Sequence, residues 1–91
     1  MNILVAEDDY VSRLLVKNAI QKMGHQIIEA ENGREAWDKF IEYQPGMIIS
    51  DWMMPQMDGI QLCRKIRSSD KKQYSYIIIL TAKDKASDLV E

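Results

Sequence analysis

The chain has 91 residues, of which 46% are apolar and 29% are charged, and its formal net charge is −2. This length suits one small domain, and the near balance of 12 basic and 14 acidic residues gives no electrostatic reason to expect a nucleic acid or an anionic membrane as a partner. One cysteine excludes an intrachain disulfide, and the sequence shows neither a secretory signal pattern nor a bilayer-length apolar run, so we expect a cytoplasmic protein.

The first elements are a strand and an amphipathic helix. Residues 2–6 form an apolar run typical of a buried parallel strand, and the run ends at the acidic residues Glu7, Asp8 and Asp9. Apolar residues then recur at spacings of three and four, which predicts a helix with Asp9 as its N-cap and a stop near Gly24. The face expected to be buried comprises Val11, Leu14, Leu15, Ala19, Ile20 and Met23.

A second strand, a second helix and a third strand are predicted next. The strand covers residues 26–30, and Asn32 with Glu35 three positions later resembles a capping box that opens the helix. The inner face of this helix is expected to comprise Ala36, Trp37, Phe40 and Ile41. A Pro-Gly pair ends the segment, and residues 47–50 form a third strand with Asp51 at its C-terminal end.

The last predicted elements are a helix and a strand. A loop over residues 52–59 leads to the third helix, and residues 76–80 form a fourth strand that ends at Thr81. The helix is expected to bury Ile60, Leu62, Cys63 and Ile66. The order βαβαβαβ with short crossovers predicts an α/β domain with a parallel sheet, right-handed connections and helices on both faces.

Polar groups follow three of the predicted strands at their carboxyl ends, where ligands bind in such sheets. They are the acidic turn after strand one, Asp51 after strand three and Thr81 after strand four. If these strands are neighbours, the carboxylates converge and repel, unless one binds a proton or a cation neutralises them. Taken singly, each acid is better explained as a solvated loop residue, but the three strand ends together favour a site.

The chemistry of such a site follows from its oxygen ligands. Mg²⁺ suits a set of oxygen ligands, and it would screen the repulsion between a carboxylate nucleophile and a phosphoryl group. The product would be an acyl phosphate, to which the hydroxyl of Thr81 could donate a hydrogen bond.

Three stretches resemble the response-regulator receiver domains of two-component signalling. They are residues 3–9 (ILVAEDD), residues 49–59 (ISDWMMPQMDG) and residues 79–82 (ILTA). The resemblance covers the whole chain and implies a flavodoxin-like (CheY-like) parallel sheet with strand order 2-1-3-4. The family continues with a full fourth helix, a fifth strand ending in a lysine and a fifth helix. This sequence lacks them, so we expect residues 1–91 to be a single receiver domain that is C-terminally incomplete.

The resemblance implies a metal site that holds Mg²⁺ or Mn²⁺. Asp8 matches the acid that binds the metal directly, and Glu7 matches its partner acid, which acts mainly through metal-bound water. Asp51 is both a metal ligand and the phosphoacceptor. Met53 matches the position whose main-chain carbonyl binds the metal. Asp9 lies outside the usual acidic pair and is expected to cap the first helix.

The resemblance also implies the residues that surround the phosphoryl group on Asp51. Thr81 matches the switch hydroxyl, and Ala82 matches the small residue that leaves room for the phosphate. The implied function is a regulatory phosphoacceptor module, not a turnover enzyme. Its phosphoryl donor would be a histidine kinase, a phosphotransfer protein or a small phosphodonor, and its signal would pass to a regulatory surface or an output domain. No direct contact with nucleic acid or a membrane is expected.

Two other functions stay open at this point. A phosphohydrolase with an aspartyl nucleophile would carry a second aspartate two positions later as general acid, but Met53 stands there. A non-signalling interaction fragment that folds only as an oligomer is the other alternative. Whichever function holds, without a fifth strand the apolar fourth strand would form an exposed sheet edge, which predicts a dimer or higher oligomer that covers it.

Overall fold

The computed structural model describes residues 1–69 and 75–80, which form a parallel sheet with helices on both faces. The strands are β1 (Asn2–Ala6), β2 (Gln26–Ala30), β3 (Met47–Asp51) and β4 (Tyr76–Leu80), and the helices are α1 (Tyr10–Gln21), α2 (Gly33–Tyr43) and α3 (Gly59–Arg67). The strands lie in the order β2-β1-β3-β4, and each pair is parallel. The flavodoxin-like fold and its strand order are therefore confirmed.

Each face of the sheet has its own apolar core, because successive side chains of a strand point to opposite faces. On one face, Leu4 and Ile48 pack with Phe40 of α2 and Leu62 of α3. On the other face, Ile3 and Val5 pack with Ile20 of α1. Burial on both faces explains why β1 reads as a continuous apolar run.

The predicted buried face of α1 is wrong in most of its members. Val11, Leu15 and Met23 are 61%, 65% and 72% exposed, and Leu14 and Ala19 are exposed as well. Only Ile20 of the predicted set is buried, and the other buried residues of the helix are Ser12 and Arg13. The helix is therefore rotated from the prediction, so that a polar residue and a cation face the sheet near its N-terminal end.

The helix boundaries follow the capping signals closely. At the start of α2, the side chain of Asn32 accepts a hydrogen bond from the N–H of Glu35 at 2.7 Å. The Glu35 carboxylate accepts from the N–H of Glu31 and not from that of Asn32, so the second hydrogen bond of the predicted capping box is absent. Ile41 is 43% exposed, which corrects its predicted place on the inner face. α1 ends at Gln21, and Gly24 lies in the turn that follows.

The face of α3 is predicted more closely than that of α1. Leu62 and Ile66 are buried, and Ile60 and Cys63 are half-buried. Asp58 caps this helix and forms a full capping box with Gln61.

Within residues 1–69 and 75–80, no helix is long and apolar enough to cross a membrane.

Candidate functional site

Three acidic side chains meet at the carboxyl edge of the sheet. Glu7 and Asp8 follow β1 directly, and Asp51 is the last residue of the neighbouring strand β3. One carboxylate oxygen from each lies within 4.8 Å of the other two. Glu7 is buried, Asp51 is half-buried and Asp8 is exposed, so the cluster opens to solvent beside Asp8.

The donor set fits a divalent cation. Two ionised carboxylates 4.8 Å apart repel each other by about 3.5 kcal/mol at an effective dielectric constant near 20, and a cation between them removes this cost. The three side chains offer only oxygen atoms, which Mg²⁺ and Mn²⁺ accept as ligands. The open side leaves room for water molecules, which Mg²⁺ commonly retains.

The acidic turn after β1 is held by main-chain hydrogen bonds. The N–H of Glu7 donates to the carbonyl of Ala30 at the end of β2 (3.0 Å), and the N–H of Asp9 donates to Glu7 Oε2 (3.0 Å). The carboxylate of Asp9 accepts from the N–H of Ser12 at 2.8 Å, which confirms its predicted role as the N-cap of α1. Asp9 is thus bound to the helix and is not part of the three-acid cluster.

Asp51 is held by the loop that follows it. The N–H of Trp52 donates both to Asp51 Oδ1 (2.9 Å) and to the carbonyl of Leu80 (3.0 Å), which ties the strand end to β4. The N–H of Gly59 donates to the carbonyl of Trp52 at 2.7 Å, so the loop closes back on its own start. A Cβ atom at Gly59 would lie 2.4 Å from the main-chain oxygen of Asp51, so this close approach requires glycine.

Met53 lies in the same loop, two residues after Asp51, with its side chain 64% exposed. The loop packs against the beginning of α2, where a Cβ atom at Gly33 would lie 1.9 Å from the main-chain oxygen of Met57. Two glycines therefore define the shape of the loop that would supply the Met53 carbonyl. The predicted phosphate residues Thr81 and Ala82 lie outside the described residues.

Two contributors near the site escaped the sequence reasoning. Gly59 is the last residue of the motif over residues 49–59, but the motif does not show that this glycine packs against the main chain of Asp51. Arg13, whose guanidinium contacts the main chain of Glu7, was not among the residues predicted for the buried face of the first helix. No spacing rule points to such a contact, because it depends on the rotation of α1.

Comparison with known proteins gives consistent results. The family described as the response regulator receiver domain matches residues 3–91. A chemotaxis protein CheY homolog of Campylobacter jejuni is 34% identical, over 99% of this chain and 71% of that protein. The transcriptional regulatory protein ResD of Bacillus subtilis is 40% identical, over 98% of this chain and 36% of that protein.

Solved structures show the same relationship. The crystal structure of the response regulator TrrA from Thermotoga maritima in complex with Mg²⁺-BeF has a TM-score of 0.81 and 37% identity, over 97% of this chain and 76% of that one. The crystal structure of a protein from Chloroflexus aurantiacus has a TM-score of 0.86 at 25% identity, over 98% of this chain and 73% of that one. Because the family match spans nearly the whole chain and the fold agrees with it, this chain belongs to the response regulator receiver domain family of two-component signalling.

Proposed function

We propose that this receiver domain accepts a phosphoryl group on the carboxylate of Asp51, with Mg²⁺ or Mn²⁺ held by Glu7, Asp8 and Asp51. The observation that carries the proposal is the convergence of these three carboxylates within 4.8 Å at the carboxyl edge of the sheet. The relative from Thermotoga maritima was crystallised with Mg²⁺-BeF, which supports a divalent cation and a phosphoryl-like group at this site.

In this mechanism, one Asp51 oxygen attacks the phosphorus atom of the donor while the bond from phosphorus to its leaving group breaks. The cation supplies charge neutralisation between the carboxylate and the phosphoryl oxygens. The Trp52 N–H, 2.9 Å from Asp51 Oδ1, fixes the direction of the carboxylate. Glu7 and Asp8 would hold the cation.

Three further roles complete the proposal. The main-chain carbonyl of Met53 would be a metal ligand, the hydroxyl of Thr81 would donate a hydrogen bond to the phosphoryl group, and the small side chain of Ala82 would leave space for that group. The position of Met53 directly after Asp51-Trp52 supports the first role, since the loop returns to the acidic edge through Gly59. We propose that all 91 residues form one receiver domain.

We propose that the domain is a regulatory module and not a turnover phosphohydrolase. A histidine kinase or a phosphotransfer protein phosphorylates it, and an attached output domain receives its signal. Incubation with acetyl phosphate and Mg²⁺, followed by mass spectrometry of the intact protein, separates the functions. A persistent single phosphorylation that Asp51→Asn abolishes is the expected result. Rapid release of phosphate would support the hydrolase, and the absence of any reaction would support an interaction fragment.

Trp52 offers a second test that needs no phosphoryl transfer. Trp52 is 45% exposed and adjoins Asp51, whereas Trp37 is half-buried and stacks on Phe40 at 5.6 Å, against the core between α2, α3 and the sheet. In a Trp37→Phe background, the emission of Trp52 should respond to Mg²⁺ and again to beryllofluoride. Asp51→Asn should remove the beryllofluoride response; a response that survives would show that Asp51 is not the acceptor.

The self-association predicted through the fourth strand also becomes a proposal. β4 is the edge strand of the described sheet, and Tyr76, Ile78 and Leu80 are 60%, 44% and 36% exposed. These side chains share a sheet face with Met47 and Ile49 of the neighbouring strand, on the side covered by α1. An apolar edge of this kind favours pairing with another chain.

The cytoplasmic location expected from the sequence stays a prediction.

A further inference from the structure

Arg13 is a buried cation close to the acidic cluster. Within residues 1–69 and 75–80 it is the only lysine or arginine that is buried, and it is 8% exposed. Burial of a cation is costly unless the charge is paired and hydrogen-bonded. Its position on the sheet side of α1 therefore calls for specific partners.

The guanidinium of Arg13 bridges two groups. Its Nη1 donates to the main-chain carbonyl of Glu7 at 2.8 Å, and its Nε donates to Glu29 Oε1 at 3.2 Å. Lys17 Nζ contacts the other oxygen of Glu29 at 2.9 Å. The hydrogen bond from Lys17, followed by the one from Arg13, lowers the pKa of the Glu29 carboxyl, so this carboxylate stays charged and holds the guanidinium in place. A planar guanidinium keeps the two contacts in a fixed relative geometry.

The carbonyl that Arg13 contacts belongs to the peptide group between Glu7 and Asp8. The plane of this peptide sets the direction in which each of the two acidic side chains leaves the main chain. The neighbouring groups are also held, since the N–H of Glu7 donates to Ala30 and the N–H of Asp9 donates to the Glu7 carboxylate. Arg13 is thus the side chain that fixes the peptide group linking the two acids.

We propose that Arg13 is a positioning residue for the metal site: through the Glu7 carbonyl it orients Glu7 and Asp8 for a divalent cation, and Glu29 on β2 holds Arg13 in place. This inference rests on the proposed function, in which the two acids bind Mg²⁺. Coulomb interaction alone has the opposite consequence, because a cation near the cluster repels Mg²⁺ and its removal would tighten Mg²⁺ binding. The sign of the change therefore separates positioning from simple charge.

The test is Mg²⁺ titration of Arg13→Met by calorimetry and by Trp52 emission in the Trp37→Phe background. Met retains most of the buried stem and removes both hydrogen bonds. We expect Mg²⁺ to bind about tenfold more weakly or worse, which is typical when a group that orients metal ligands is lost. Arg67→Met is the matched control, because Arg67 Nη1 also donates to a main-chain carbonyl at 2.8 Å, that of Ser75 at the opposite end of the sheet.

Urea denaturation of both variants establishes that each is folded during the titration. Arg67→Met should bind Mg²⁺ as tightly as the unmodified chain. Arg13→Lys keeps the charge, but one ammonium group cannot bridge both acceptors. Its affinity for Mg²⁺ should therefore lie between those of the unmodified chain and Arg13→Met. If Arg13→Met does not fold, Arg13→Lys provides the test. Unchanged or tighter binding in a folded Arg13 variant, or an equal loss in Arg67→Met, would overturn the inference. A failure of the unmodified chain to bind Mg²⁺ would instead refute the proposed function.

Discussion

Replacing Gly59 by alanine would place a methyl group against the strand that carries the phosphoacceptor. The added Cβ would lie 2.4 Å from the main-chain oxygen of Asp51 and 3.2 Å from Ser50 Oγ. Ordinary van der Waals contact begins near 3.4 Å, so the Asp51 carbonyl or the loop must move by about 1 Å. Asp51 pairs with Leu80 in the sheet, so its main chain cannot yield as a flexible side chain would.

Gly59→Ala should lower both the free energy of unfolding and the rate at which Asp51 is phosphorylated. Overpacking against a fixed neighbour costs about 1–3 kcal/mol. With a urea dependence of about 1–1.5 kcal/mol per molar for a domain of this size, a loss of about 2 kcal/mol lowers the unfolding midpoint by about 1.5 M. Displacement of a reacting group by about 1 Å can slow a reaction about 100-fold, so phosphorylation of Asp51 by acetyl phosphate should slow by about one to two orders of magnitude.

Gly24→Ala is the control for the glycine change itself. No atom lies within 4 Å of a Cβ at this position, but the φ angle of Gly24 is +88°, so the cost of about 1–2 kcal/mol comes from the backbone alone. This variant should lose some stability and keep the phosphorylation rate of the unmodified chain. If Gly59→Ala retains both the urea midpoint and the rate, the contact between Gly59 and Asp51 does not constrain the site.

Three further predictions concern the acids, pH and assembly. Asp8→Asn should abolish Mg²⁺ binding in calorimetry, whereas Asp9→Ala should keep it and lose about 1 kcal/mol of stability in urea, because only the cap of α1 is removed. The hydrogen bond from Lys17 is the main cause that lowers the pKa of Glu29 from 4.5. The stability that Glu29 contributes is therefore present above its unfolded-state pKa and is lost as the pH falls through the lower folded-state pKa. Glu29→Gln should flatten the loss of stability below about pH 4.5, measured as urea midpoints. Ile78→Lys should shift the protein towards monomer in light scattering, and an unchanged molecular mass would exclude β4 as the interface.

The strands were predictable because each is a short segment centred on isoleucine, leucine or valine and bounded by polar turns. Each predicted strand agrees with the structure to within one residue. The helix faces were less predictable. Ile41 is 43% exposed, because it lies at the margin of the face of α2 that Gly33, Ala36 and Phe40 bury.

The acidic cluster was predictable in part for a related reason. Parallel strands bring their carboxyl ends to one edge, so the order of the elements alone places Asp51 near the turn after β1 once β1 and β3 are neighbours. The sequence could not show that Asp8 opens to solvent while Glu7 is buried, because that difference depends on how the turn lies against Ala30 and Arg13.

The rotation of α1 brings Arg13 to the same edge of the sheet. Residues 13, 16, 17 and 20 follow helical spacing as well as the apolar stripe does, and this second stripe is the one that faces the sheet, with Arg13 and Ile20 buried. If the apolar stripe faced inward, Arg13 would leave the carbonyl of Glu7 and the carboxylate of Glu29, both of which it contacts. The observed rotation leaves Val11, Leu14 and Leu15 exposed, on the face of the sheet where Ile78 is also exposed. The rotation that places Arg13 against the acidic turn is therefore also the one that leaves the apolar stripe of α1 at the surface.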